Sequence, residues 1–228
     1  MRFDNQVVAL TGANGNLGRA VAQAALAQGA RVALLDVAAG ADLAASAPER
    51  ASVHQVNLLD AEATRACFAA IGRVDVLCNI AGGFSMGDPV HATSEEVWTR
   101  MLDLNVRTLL NSVRAAVPGM IERRRGKIVN VGATGGVSGQ AGMGAYSAAK
   151  SAVIRITESM AAELKRKGIN VNCVLPSIID TPQNRAAMPK ADPSHWVAPV
   201  DLASVILFLA SDEARAVHGA ALPVTNLV

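Results

Sequence analysis

Aromatic side chains are scarce in this chain: they make up 3% of its 228 residues. A core must therefore come from Ala, Val, Ile and Leu, within a hydrophobic share of 51%. That is the palette of buried parallel strands covered by alanine-rich helices. Long apolar runs are missing as well. None approaches the ~20 residues that cross a bilayer, so no membrane association is expected. The amino terminus runs almost at once into a strand-like segment and carries no signal-peptide core. Excess charge is absent too, the formal net value being +2, which argues against nucleic acid or a membrane surface as partner. The one basic run, Arg123–Arg125 with Lys127, is read as a solvated helix end favourable to the helix dipole. Cysteine is limited to Cys67, Cys78 and Cys173, without metal-ligand spacing. Cys78 and Cys173 fall in apolar runs and read as buried thiols. An odd count without a pairing pattern suits a reducing compartment, so a cytoplasmic protein without a metal is expected. The four histidines, His54, His91, His195 and His218, lack metal-binding neighbours, and none is assigned a role.

What the chain does have is alternation. Strands are expected at Gln6–Thr11, Ala30–Leu35, Ser52–Val56, Val74–Asn79, Lys127–Val131, Ile169–Leu175 and Ala220–Val224. Helices are expected at Leu17–Gln28, Ala61–Ile71, near Ser94–Asp103, Leu104–Arg124, Ala145–Lys167 and Val200–Ser211. Strands alternating with helices of ten or more residues mean βαβ units and a parallel sheet with both faces covered. At 228 residues one domain, 1–228, accounts for the length. Only Ser177–Pro199, rich in Pro and polar residues, breaks the rhythm. Lying beyond the carboxyl end of a strand, it is where a substrate lid is expected.

The first strand ends in Thr11-Gly-Ala-Asn-Gly-Asn-Leu-Gly18 and leads directly into a helix. Gly12 permits a tight turn, Gly15 lets the backbone approach a pyrophosphate, and Gly18 lets helix and strand pack closely. The helix start then offers free N–H groups and a positive dipole end to phosphates, with Asn14, Asn16 and Leu17 around them. Asp36 ends the second strand, 24 residues after Gly12, where a carboxylate accepts from adenosine ribose hydroxyls; its alternative reading is a cap on the following segment. A carboxylate there repels a 2′-phosphate, and Val37–Gly40 holds no arginine to attract one. NAD(H) is therefore expected over NADP(H). Asn57 and Leu58 after the third strand, and Asn79, Ala81 and Gly82 after the fourth, belong to the same crevice edge.

Tyr146 and Lys150 stand four residues apart, so both project from one face of a helix near its start. A free phenol titrates near ~10, and a nearby cation lowers that value. With Thr11–Gly18, Asn79–Gly82, Asn105, and Pro176 with Thr181, this pair makes the chain resemble the short-chain dehydrogenase/reductase family over essentially its whole length. The resemblance implies an α/β fold, one Rossmann-type doubly wound domain with a mostly parallel sheet of about seven strands. It implies hydride transfer between a nicotinamide cofactor and a small carbonyl or alcohol, with Tyr146 as acid/base. Lys150 is then expected to hold the nicotinamide ribose and depress the Tyr146 pKa, and Asn105 to anchor a water linking Lys150 to solvent. Pro176, Ile178, Ile179 and Thr181 are expected at the cofactor. It further implies a homotetramer or homodimer joined through the segments Leu104–Arg124 and Ala145–Lys167.

Two departures stand out. The glycines follow G-x-x-G-x-x-G, and the family's catalytic serine position, thirteen residues before the tyrosine, is Ala133. Losing one positioned donor to the substrate oxygen typically costs about 10²–10³ in turnover. Thr134 stands in for it, the substrate needs one donor only, or the protein binds NAD as a catalytically silent regulator. The glycine turn, Phe84 after Ala81-Gly-Gly83, Ala133, and the lid from Asp180 to Asp192 with Trp196 are also similar to dihydropteridine reductase. A quinonoid dihydropterin, already electron-poor, is then an alternative substrate. Phe84, Ala133, Met143 and Trp196, with Met86, Ile178, Ile179 and Met188, are the candidates to line the substrate crevice. Asn184 and Arg185 are candidates to orient a polar substrate.

Overall fold

The computed structural model describes residues 1–40 and 47–226. Seven strands form one sheet in the order β3-β2-β1-β4-β5-β6-β7, and every pairing is parallel. The strands are β1 Val7–Thr11, β2 Arg31–Asp36, β3 Ala51–Gln55, β4 Val76–Asn79, β5 Gly126–Val131, β6 Ile169–Pro176 and β7 Ala221–Val224. Among the described residues the α-helices are α1 Asn16–Ala27, α2 Ala61–Ile71, α3 Glu95–Leu102, α4 Thr108–Arg123, α5 Gly144–Leu164, α6 Pro182–Ala187 and α7 Pro199–Ala210. Strand order reverses between β1 and β4, so the chain leaves these neighbours in opposite directions and opens a crevice at their carboxyl ends.

Side chains alternate along each strand and divide the core in two. Val8, Leu10, Val32, Leu34, Val76, Cys78, Val129 and Val174 face one way and pack with Val21 and Ala25 of α1 and Leu202 and Ile206 of α7. Ala9, Ala33, Leu35, Leu77, Ile128, Val171 and Cys173 face the other way, against Phe68 of α2, Val113 and Met120 of α4 and Ile154 and Leu164 of α5. Small and branched side chains fill both layers, as the scarcity of aromatics requires. Cys78 and Cys173 are buried free thiols, and burial pushes them up to about 12 and about 11.

Two sequence expectations need correction. The segments expected near Ser94–Asp103 and Leu104–Arg124 are continuous, joined through a wide π turn at Asp103–Arg107. The basic run is not simply solvated. Arg123 donates to Val74 O at 2.7 Å, and Lys127, 8% exposed, donates to Asn170 Oδ1 at 2.8 Å. Its position at the start of β5, facing the β6 asparagine, outweighs the tendency of lysine to reach solvent. The Pro-rich segment 177–199, expected as a lid, carries local structure of its own. It holds α6, a 3₁₀ turn at Pro193–His195 and a parallel bridge between Ile179 and Val197.

Candidate active site

The glycine turn is fixed by contacts on three sides. Gly12 has φ +67°, and a side chain there would stand 2.9 Å from the Ala81 backbone. The Thr11 hydroxyl holds that backbone in place by accepting from Ile80 N at 3.0 Å and Ala81 N at 3.1 Å. A Cβ on Gly18 would lie 2.2 Å from Gly12 O, so α1 starts against the turn itself. Gly15 is the N-cap of α1 and supplies no side-chain cap, and the first turn carries no acid. Helices α2 and α3, by contrast, are capped by Asp60 and Ser94. An uncapped start with free N–H groups beside glycine backbone fits a pyrophosphate.

Asp36 closes β2 beside this turn. Its carboxylate accepts from Asn14 N at 2.9 Å and from Ala38 N at 3.4 Å, while Asn14 Nδ2 donates to Ala38 O at 2.7 Å. Asp36 therefore ties the glycine turn to the segment after β2, as a cap does, and remains partly exposed. Asn57 turns its own loop by accepting from Leu59 N at 3.1 Å. Leu58 is buried at 4%, and its carbonyl accepts from Asn111 at 2.8 Å, so its side chain serves the core.

Asn105 sits in the π turn for a visible reason. Its Nδ2 donates to Met101 O at 2.9 Å and to Gly83 O at 3.1 Å, and its Oδ1 accepts from Gly83 N at 3.2 Å. A side-chain amide taking the carbonyl four residues back displaces the backbone bond, and the helix widens there. The same contacts clamp the β4 loop. A Cβ on Gly82 would stand 2.8 Å from Asn105 Oδ1 and 3.4 Å from Lys150 Nζ, so residues distant in sequence converge around Gly82.

Lys150 is buried, and its Nζ donates to Val131 O at 2.9 Å while lying 6.0 Å from the Tyr146 ring centroid. Burial brings its ammonium down to about 8, opposed in part by Cys173. Tyr146 departs from expectation. Burial raises its phenol to about 12, where a cation was expected to lower it. The ammonium is held against the β5 carbonyl, and desolvation dominates.

The surroundings of Tyr146 are apolar. Phe84, 59% exposed, meets its ring edge-on with centroids 4.9 Å apart and planes at 75°. A Cβ on Gly135 would lie 3.5 Å from Met143 Cε and 3.6 Å from Tyr146 Cε1. Ala133 is 6% exposed. Thr134 opens a 3₁₀ turn, so the alternation of a strand does not govern it; its hydroxyl donates to Pro176 O at 3.4 Å. Met86 and Ile178 are exposed at 65% and 41%. Trp196 is only 7% exposed and, like Ala133, offers little surface to a ligand. Arg185 forms a two-point ion pair with Asp180, at 2.6 and 2.8 Å, Asn184 donates to Ile179 O at 2.8 Å, and Thr181 caps α6. These polar residues brace the lid.

Sequence reasoning passed over a buried polar chain behind the site. Asn79 Nδ2 donates to Asn130 Oδ1 at 2.9 Å, and Asn130 Nδ2 donates to Thr157 Oγ1 at 2.8 Å. An asparagine inside the apolar strand Ile128–Val131 was the available signal. Asn79 Oδ1, at the carboxyl end of β4, is buried with no partner among the described residues, which leaves an acceptor at the crevice edge.

A doubly wound sheet with this crevice and a Tyr–Lys–Asn cluster at its edge defines an oxidoreductase of the short-chain dehydrogenase type. The family model for short chain dehydrogenases matches residues 6–192, and the chain belongs to that family. It is 33% identical to 2-(S)-hydroxypropyl-CoM dehydrogenase 3 of Xanthobacter autotrophicus, over 98% of this chain and 96% of that protein. It is 35% identical to meso-2,3-butanediol dehydrogenase of Serratia marcescens, over 98% and 94%. The crystal structure of a 3-oxoacyl-[acyl-carrier protein] reductase with bound NAD from Brucella melitensis superposes with a TM-score of 0.87 at 32% identity, covering 99% of this chain and 92% of that one.

Proposed function

We propose that the protein is an NAD(H)-dependent reductase or dehydrogenase of a small apolar carbonyl or alcohol, acting on CH–OH and C=O groups with Tyr146 as the only side-chain donor to the substrate oxygen. The observation that carries this reading is the convergence of Lys150 and Asn105 on Gly82, with the Tyr146 ring centroid 6.0 Å from Lys150 Nζ, beside an uncapped α1. The bound nicotinamide supplies or takes the hydride. Gly12, Gly15 and Gly18, with Asn14, Asn16 and Leu17, cradle its phosphates. Asp36 selects NAD(H), since a partly exposed carboxylate in that place repels a 2′-phosphate. Asn57, Leu58, Asn79, Ala81 and Gly82 border the adenosine and ribose side, and Pro176, Ile178, Ile179 and Thr181 the nicotinamide side.

Tyr146 gives its proton to the developing alkoxide in reduction and recovers it in oxidation. A phenol near 12 in the free protein is a poor base at neutral pH, so the site depends on Lys150 to stabilise the phenolate in the loaded complex. Asn105 keeps the β4 loop and the Lys150 approach in register. Phe84, Met143 and Gly135 surround the phenol with apolar surface, which favours an uncharged substrate.

That apolar environment, with Ala133 in place of a second donor, also supports the second reading, reduction of a conjugated electron-poor ring such as a quinonoid dihydropterin. Assembly as a homotetramer or homodimer through α4 and α5, and a cytoplasmic setting suited to three free thiols, belong to the same proposal. The test is NADH oxidation with simple ketones and quinonoid dihydrobiopterin, comparing the wild-type chain with Tyr146→Phe. Turnover is expected to fall by about 10²–10⁴ with NADH affinity nearly intact. Undiminished turnover in the variant removes Tyr146 from the mechanism. Tight NADH binding with no substrate turned over favours a silent regulatory protein.

A further inference from the structure

We infer that Gln183 and Asn16 form a latch holding the lid across the phosphate cradle, and that this latch sets the rate at which cofactor leaves; the inference rests on the NAD(H) reading above. Asn16 Nδ2 donates to Gln183 Oε1 at 2.8 Å across a sequence separation of 167 residues. Asn16 is the first residue of α1, directly after the uncapped Gly15. Gln183 is the second residue of α6. The bond therefore runs from the mouth of the phosphate cradle to the lid.

The lid is built to move as one body. Thr181 Oγ1 accepts from Asn184 N at 3.1 Å, Asn184 Nδ2 donates to Ile179 O, and Arg185 grips Asp180 at both carboxylate oxygens. Ile179 bridges Val197, and Asn226 Nδ2 donates to Trp196 O at 3.1 Å. Asn226, after β7, thereby anchors the Trp196 end of the lid, and the bond at Gln183 holds the end that faces the phosphate cradle. Two primary amides each carry donors and an acceptor, so the pair reforms in either orientation after each opening. Gln183 is exposed, and a water-accessible hydrogen bond is weak enough to break on every catalytic cycle. Its strength suits a gate better than a clasp. Gln183 and the Asn16 side chain thus act through the lid on the bound dinucleotide, while the Asn16 backbone N–H belongs to the phosphate cradle.

The test follows release of NADH by stopped-flow fluorescence after displacement with excess NAD⁺. It compares wild type with Gln183→Ala, Asn16→Ala, the double alanine variant, and the exchanged pair Asn16→Gln/Gln183→Asn. Gln183→Ala is expected to speed release roughly two- to tenfold, the range of one such bond. The double variant should be no faster than the faster single one, because both remove the same interaction. The exchanged pair, which keeps the donor, the acceptor and the combined length, should return release to near the wild-type rate. A loss of general packing would not be restored by that exchange. Release at the wild-type rate in Gln183→Ala overturns the latch, as do multiplicative effects in the double variant or failure of the exchange. If NADH binds and release is unchanged, the latch alone falls; if NADH does not bind, the cofactor reading falls with it.

Discussion

The two ends of the sheet treat polar groups differently. At the amino end, most polar side chains are paired off, although Gln28 Oε1 at the end of α1 is buried with no partner among the described residues. Lys127 donates to Asn170 at 2.8 Å, and Asn170 donates in turn to the carbonyls of Arg215 and Val217, each at 3.0 Å. His218 uses both ring nitrogens, accepting from Val171 N at 3.3 Å and facing Ala161 O at 2.7 Å. Asp75 takes the Val7 N–H and the Arg73 guanidinium. At the carboxyl end, α1 begins without a side-chain cap, Asn79 Oδ1 has no partner among the described residues, and Phe84 stands open to solvent. A buried polar group left unpaired costs stability, so a fold retains such groups where a ligand completes them. The uncapped start of α1 and the exposed Phe84 mark the carboxyl end as the place of the proposed site.

The sharpest way to probe that contrast is Ala133→Ser. The backbone at Ala133 is extended, with φ −164° and ψ 157°, and accepts serine without strain. A second donor beside Tyr146 should raise turnover of an isolated ketone by up to about 10² and should do less for a conjugated ring. Equal gains on both, measured as kcat/KM with NADH, would break the link between the missing hydroxyl and the substrate.

Next in size is a change at the opposite end. His218→Ala removes two largely buried hydrogen bonds joining α5, β6 and the turn before β7. It should cost about 1–3 kcal/mol of stability while leaving NADH affinity unchanged. Urea unfolding and NADH titration check the two halves separately; weakened NADH binding would mean the ends are coupled.

The smallest effect is on pH dependence. Lys150 titrates at about 8 in the folded protein against an ordinary 10.5, because of burial. Between those values the unfolded chain holds more protons, so stability should rise as pH climbs from about 8 toward 10.5. Tyr146 works in the opposite sense. Its folded value of about 12 lies above the ordinary 10, so stability should decline as pH rises beyond 10. Lys150→Met should lose the first rise in denaturant melts of the free protein. Tyr146 is also the only tyrosine, so phenolate absorbance reports it alone. Phenolate appearing below pH ~10 in the free protein would contradict its burial.

The strand and helix pattern was legible because each layer needs a repeating apolar code. Alternation placed all seven strands to within two residues of their observed starts, and the parallel sheet followed from helical connections. The candidate site was legible where chemistry and spacing coincide, as in Gly12–Gly18 and Tyr146 with Lys150. It was not legible where partners lie far apart in the chain. Nothing local in Asn105 foretells a π turn, since the cause is Gly83 and Met101 converging on one amide. Nothing in Gln183 foretells Asn16.

The sequence by itself determined the layers, the glycine turn, the order of the site residues and the absence of a serine at Ala133, because these depend on residue type and periodicity. Only the tertiary structure decided the environment of those residues. It set the Tyr146 phenol high and the Lys150 ammonium low, turned the Thr134 hydroxyl toward Pro176, spent Arg185 on Asp180, and tied the lid to the glycine turn. The physical reason is that desolvation and hydrogen-bond partnership depend on surrounding atoms, and folding brings those atoms together from distant parts of the chain.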